Sequence, residues 1–320
     1  MDSTISDLES EGEELDELYT LARWNSERSA GNDIFLAAGN GNPLAEAYLS
    51  VLYYHGCASF DSNKAEAERL ALHALPWLRS EMLKRNRYAI FHMASCYFDG
   101  RGVIQNILEA ESIARRFMRL GHDETSLLLA KIEKRRGMRR HMNPKLLVQS
   151  IVERTDHPEA QYQLGMWEMY DTIPLRDEEV AYHYFRAAAK QGHREAIYEA
   201  GLCYLEGLGT FRDIPKAARF FHRAADCHLE EAQMAYAKCC KEGHGVVQDY
   251  PCAAKYYLCA ANKGNVLAMR NLGIMHELGR GVPQNHQLAM VYYKQATEQG
   301  DRPAYLAMQR LLAEMKAAMF

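Results

Sequence analysis

The sequence predicts an all-α fold, a right-handed superhelical solenoid of antiparallel helix pairs, and three observations carry that expectation. One block of residues recurs at a 36-residue period. Inside each block, small and aromatic residues fall at helical spacing in two stretches, and glycines follow both. Proline is scarce, nine in 320 residues, and charged residues make up 25 %, a balance that suits a helical array with one continuous core.

The first 18 residues, MDSTISDLESEGEELDEL, hold eight acidic and no basic side chains. So little apolar surface predicts a disordered acidic tail over residues 1–18, and the charge is the reverse of a signal peptide's. The tail reads as solubilising, with an interaction tail or a competitor for the chain's own groove as the alternatives. With −4 overall and −8 in the tail, the rest of the chain carries about +4.

Residues 19–320 form the array. Ala45 opens AEAYLSVLYYHG, and Ala89 opens the next copy 44 residues later. Residues 125–159 fit the frame poorly and are read as a degenerate unit. From Ala160 the anchors Ala196, Ala232, Ala268 and Ala304 follow at intervals of 36 without a gap. That makes about seven units, with residues 304–320 as a C-terminal capping helix.

Each unit is expected to be two helices. The anchor alanine and the residues four and eight later form one stripe, ended by a Gly-x-Gly that can adopt positive φ. A second stripe joins the alanine at +21, the aromatic at +25 (Phe221, Tyr257, Tyr293) and the alanine at +28. Small residues there let helices approach closely. Gly192, Gly264 and Gly300 end the second helix.

Leu272, Gly273, Gly279, Gly281, Val282, Ala289, Tyr293 and Ala296 carry the pattern A-x-x-x-L-G-x-x-x-x-x-G-x-G-V followed by A-x-x-Y-Y-x-x-A. It resembles that of the Sel-one-like repeat family, a branch of the tetratricopeptide-type α-solenoids. The resemblance runs from about Ala37 to Pro303 and implies a non-enzymatic adaptor or scaffold that binds partner proteins in a concave groove. Alignment with the tetratricopeptide pattern points frame positions +2, +6, +9 and +10 inward. The partner-binding candidates are therefore Phe91, Tyr162, Met166, Tyr198, Lys238, Lys241 and Arg270. Aromatic and thioether groups in the middle and cations toward the C-terminal end imply partner segments that combine apolar anchors with acidic residues.

Catalytic and metal readings find little to rest on. GRGV at Gly100 and Gly279 and GHGV at Gly243 mimic a nucleotide loop, but they recur as inter-helix turns. His193, His228, His244 and His276 occupy different frame positions, as surface or capping residues do. In CCKEGHGVVQDYPCAAKYYLCAANKGN, residues 239–265, the cysteines are adjacent or seven apart, a poor spacing for zinc. The eight cysteines are expected to be free thiols, with no metal and no cofactor. A cysteine-rich branch of the family is secreted and linked to β-lactam or cell-wall binding. It keeps the alternative of an enzyme or small-molecule binder open, although its paired cysteines are replaced here by Ile197, Gln233 and Met269. The missing disulfide framework favours a cytoplasmic setting.

No run of eighteen apolar residues is present, so no membrane span is expected. The basic run KIEKRRGMRRHMNPK, residues 131–145, holds seven Lys or Arg but no aromatic for base stacking. It reads as a solvated helix end and loop, with nuclear import or an acidic partner as alternatives, and nucleic acid is not an expected partner.

Overall fold

The computed structural model describes residues 10–19, 22, 28–56, 60, 62–117, 122–136, 144–155, 157–170 and 177–317. Contacts divide the chain into two compact units, residues 1–196 and 197–320. Among the described residues no strand occurs.

The first unit holds α1 (residues 10–19), α2 (Arg28–Gly39), α3 (Pro43–His55), α4 (Lys64–Leu83), α5 (Arg87–Asp99), α6 (Ile107–Phe117), α7 (Asp123–Arg136), α8 (Pro144–Arg154), α9 (Pro158–Tyr170) and α10 (Glu178–Lys190). The division falls inside α11 (Arg194–Glu206). The second unit continues with α12 (Ile214–Asp226), α13 (Glu230–Glu242), α14 (Tyr250–Asn262), α15 (Val266–Leu278), α16 (His286–Glu298) and α17 (Arg302–Ala317). Within each unit, consecutive helices pack against one another as hairpins. The degenerate stretch also folds as a pair, α7 with α8.

The repeat frame is a packing frame. Anchors Ala45, Ala89, Ala160, Ala196, Ala232, Ala268 and Ala304 are all fully buried, as are Ala181, Ala217, Ala253 and Ala289 at +21. The glycine at +5 makes room for the aromatic at +25. A Cβ on Gly165, Gly201 or Gly273 would stand 2.7, 2.8 or 2.5 Å from the ring of Phe185, Phe221 or Tyr293. The first and second helices of a pair therefore touch backbone to ring, closer than side chains on both would allow.

Two capping positions, neither of them part of the sequence pattern above, recur with the same period. At +17, Asn106, Asp177, Asp213, Asp249 and Asn285 each accept a backbone N–H three residues on. At −3, Asn42, Asn86, Asn265 and Asp301 accept the anchor alanine's N–H. The His193 ring nitrogen Nδ1 accepts it from Ala196 at 3.2 Å. Each cap satisfies an orphan donor of a helix start, which fixes where the helix begins. At the other end Gly100, Gly243 and Gly279 take left-handed conformations and return their N–H groups to Cys96, Cys239 and Met275.

The expected disordered tail does not describe residues 10–19. They form α1, whose Leu15 and Tyr19 are buried in one core cluster with Ile34 of α2 and Tyr48 of α3. Residues 1–9 lie outside the described residues, as do 137–143 of the basic run. Four of the run's cations engage the fold: Lys131 pairs with Glu159 at 2.7 Å, Lys145 with Glu168 at 2.7 Å, and Lys134 and Arg135 lie over the Trp167 and Phe98 rings.

Candidate partner-binding faces

In the second unit the first helices are α11, α13, α15 and α17. Their +2 positions, Tyr198, Met234, Arg270 and Leu306, are half-buried or exposed. The same holds at +6 for Leu202, Lys238, Ile274 and Arg310. The anchors beside them, and Ala200, Ala237 and Leu272, are buried. A helix that buries one stripe for packing leaves the residues between the stripes toward solvent, and here those residues form a second, accessible stripe.

Its chemistry varies along the unit. The Tyr198 ring lies 5.5 Å from Phe221, and burial raises its hydroxyl's pKa, helped by Glu199, Glu231 and Glu206. It is a neutral phenol with an apolar body. Lys238 on α13 is exposed. Lys241 is half-buried, 3.4 Å from Asn271 Oδ1 and 3.5 Å from Glu242. Arg270 is spent inside the fold. Its guanidinium donates to both carboxylate oxygens of Asp301, at 2.8 and 3.1 Å, and Asp301 also caps α17. Arg270 thus ties α15 to the start of α17, and its charge is matched.

The first unit treats its candidates differently. Tyr162 and Met166 on α9 are half-buried, with Tyr170 beside them 54 % exposed. The Tyr162 ring stacks on His193, 4.6 Å between centroids. His193 is itself buried, bonded through Nε2 to Glu159 at 3.0 Å. Phe91 does not face solvent. It is 4 % exposed, packed with Ala114, Leu128 and Leu129 and against the His122 ring. The same frame position that is open in the second unit is closed here, because α7 covers it.

The first unit also carries a ready-made occupant of its helix starts. α1 crosses the N-terminal ends of α3, α5 and α7. Asn42 Nδ2 donates to Glu11 at 2.6 Å, Arg87 donates to Glu13 at 2.7 Å, and Tyr48 Oη donates to Asp16 at 2.8 Å. His122, which precedes α7, stands 3.5 Å from the other Asp16 oxygen. Gly12 lies so close to Tyr88 that a Cβ would fall 2.3 Å from the ring. Carboxylates at helix N-termini meet the positive end of the helix dipole, so an acidic helix suits this surface. Sequence reasoning missed it because the acidic composition suggested disorder.

Among the described residues no group of three His, Cys, Asp or Glu side chains could hold a metal ion. No described helix is long and apolar enough to cross a membrane. The seven cysteines among the described residues form no disulfide, and Cys57 lies outside the described residues. One pairing was not anticipated: Cys240 and Cys252, read above only against their neighbours in sequence, bring their sulfurs within 3.1 Å.

Comparison with known proteins accords with this architecture. A Sel1 repeat solved from Oxalobacter formigenes is 22 % identical, with 96 % of this chain and 90 % of that one aligned and a TM-score of 0.61. A protective antigen of uropathogenic Escherichia coli that displays the SLR fold is 21 % identical at the same TM-score of 0.61, over 88 % of this chain. This chain spans only 59 % of the antigen's length. No curated protein matches. The Sel1 repeat model matches residues 87–122, 158–193, 194–228, 230–265 and 266–301, more than half of the sequence, and repeats of this kind generally serve as protein-interaction scaffolds. With those matches falling on the helix pairs described here, the chain belongs to the Sel1 repeat family.

Proposed function

We propose that this protein is a non-enzymatic adaptor that holds a segment of a partner protein on the first-helix face of its second unit. The observation that carries the reading is the accessible +2 and +6 stripe on α11, α13, α15 and α17, beside fully buried packing positions. A face that offers a tyrosine, leucines and a lysine suits a segment with apolar anchors and acidic residues. The anchors belong near Tyr198, where Glu199, Glu206 and Glu231 disfavour further negative charge. The acidic residues belong near Lys238 and Lys241, while Arg270, already paired, adds position and little charge. Tyr162 and Met166 offer a smaller apolar patch in the first unit. The seating of α1 in that unit supports the chemistry, since it shows acidic helical sequence accepted against the starts of first helices.

The test is to capture a partner with the intact chain and then to measure its binding to variants. Tyr198→Ala should weaken the complex by about 2 kcal/mol, the loss of one hot spot, mainly through faster dissociation. Lys238→Glu should slow association and flatten its dependence on ionic strength. Unchanged binding to both, with loss on Lys255→Glu on the exposed side of the second helix α14, would place the partner elsewhere.

A further inference from the structure

The helix pair α13 and α14 contains a feature that partner binding does not use. Cys240 lies three residues before the glycine that ends α13, and Cys252 lies in the first turn of α14, so the two flank the connecting loop. The loop is held from both sides. Asp249 caps α14 by accepting the N–H of Cys252 itself at 2.9 Å, and Gly245 lies against the backbone of Ile214, where a Cβ would come within 2.4 Å of its carbonyl oxygen. The sulfurs are thereby fixed 3.1 Å apart, about 1 Å longer than the ~2.05 Å of a disulfide bond.

We propose that Cys240 and Cys252 form a reversible disulfide, making this helix pair a two-electron oxidation site for a hydroperoxide. The two sulfurs differ in access. Cys252 is half-exposed and meets the oxidant, whereas Cys240 is buried. Burial, with the neighbouring Cys252, pushes the Cys240 thiol up to about 12, so it resists direct attack on peroxide and serves as the resolving partner. In the first step the Cys252 thiolate attacks one peroxide oxygen and the O–O bond breaks. The departing oxygen takes up the proton that the thiol gave to solvent, which leaves a sulfenic acid on Cys252. In the second step the Cys240 sulfur attacks the Cys252 sulfur and the S–O bond breaks. The hydroxyl leaves as water with the Cys240 proton. Two thiols and one hydroperoxide thus become one disulfide, one water and one alcohol, or a second water when the oxidant is hydrogen peroxide. Two equivalents of a small thiol reverse it.

Tyr236 completes the site. Its ring is held edge-on to Tyr256, 5.0 Å between centroids, and stacked on His222 at 4.5 Å. Burial, with Cys240 and Cys252 beside it, raises the pKa of its hydroxyl, so it stays protonated and remains a donor toward the leaving hydroxyl. Cys203 and Cys239 are buried, each seven residues after its anchor alanine, and Cys259 lies two helical turns along from Cys252.

The experiment exposes the reduced full chain to hydrogen peroxide, blocks the remaining thiols by alkylation and maps the peptides. A linked Cys240–Cys252 peptide should accumulate, vanish after treatment with dithiothreitol, and be absent from Cys240→Ser and Cys252→Ser. In Cys240→Ser a sulfenic-acid probe should label Cys252 several-fold more than in the parent, because nothing resolves the intermediate. The parent measurement needs no variant to fold. Separate alkylation of the two cysteines after peroxide, or a bridge to any other cysteine, would overturn the proposal.

Discussion

Gly281 shows how much a single position can be asked to satisfy. Its φ is +73°, and a Cβ on it would lie 2.3 Å from the Tyr250 carbonyl carbon of the preceding helix pair. That neighbour is backbone and cannot rotate away. Gly281→Ala should therefore cost on the order of 3 kcal/mol, the left-handed penalty together with the forced shift. Gly264, at φ +94° with nothing within 4 Å, shares only the first demand, and Gly264→Ala should cost about 1 kcal/mol. Urea denaturation of both variants checks the order, and equal losses would mean that the close approach carries no energy. At this scale the sequence is partly legible. The Gly273–Tyr293 pair can be read from the period, because both members recur. Phe91 cannot, because its exposure depends on α7, whose sequence departs from the repeat.

α1 is held by a handful of contacts, so its docking can be tested apart from the rest of the fold. Burial acts to raise the Asp16 carboxyl, but His122 and the Tyr48 hydroxyl outweigh it and hold the group below the ordinary aspartate value. A depressed pKa in the folded state stabilises docking at pH values above the unfolded value and loses that contribution as pH falls through the folded one. α1 should therefore lose this contribution as the pH falls below about 4. At neutral pH, Asp16→Asn should weaken docking by about 1–2 kcal/mol, as expected for the loss of a charged hydrogen-bond acceptor. Gly12→Val should displace the helix outright, since its side chain would occupy the Tyr88 ring. Hydrogen exchange of residues 10–19 should quicken in both variants while α14 and α15 keep their protection. Unchanged exchange in Gly12→Val would show that α1 is not seated against Tyr88. This element was illegible for a physical reason: the groups that hold it, at Asn42, Tyr48 and Arg87, lie 31, 32 and 74 residues from their partners. A composition rich in acid reveals none of them. The Cys240–Cys252 pair was hidden in the same way, because residues twelve apart converge only once two helices fold back on each other.

Across the molecule, energy is distributed as the contacts are, between neighbouring helix pairs inside each compact unit. Stability in such arrays is close to a sum of pair and nearest-neighbour terms, so damage should stay local. Ala260 at +28 of α14 is fully buried, while Leu258 on the same helix is 42 % exposed. Ala260→Leu forces three extra carbons between packed helices and should cost roughly 1–3 kcal/mol. Leu258→Ala should stay within about 0.5 kcal/mol. The period was legible because the buried positions are small residues repeated at one spacing, and this prediction asks whether that spacing also sets the size of the cooperative unit. Native-state hydrogen exchange of Ala260→Leu should lose protection in α13 to α16 first, with α3 to α6 in the other unit near parent values. A uniform loss over both units would show that the chain unfolds as one body. The adaptor reading makes use of the local case, since a partner that orders one unit would then leave the stability of the other unchanged.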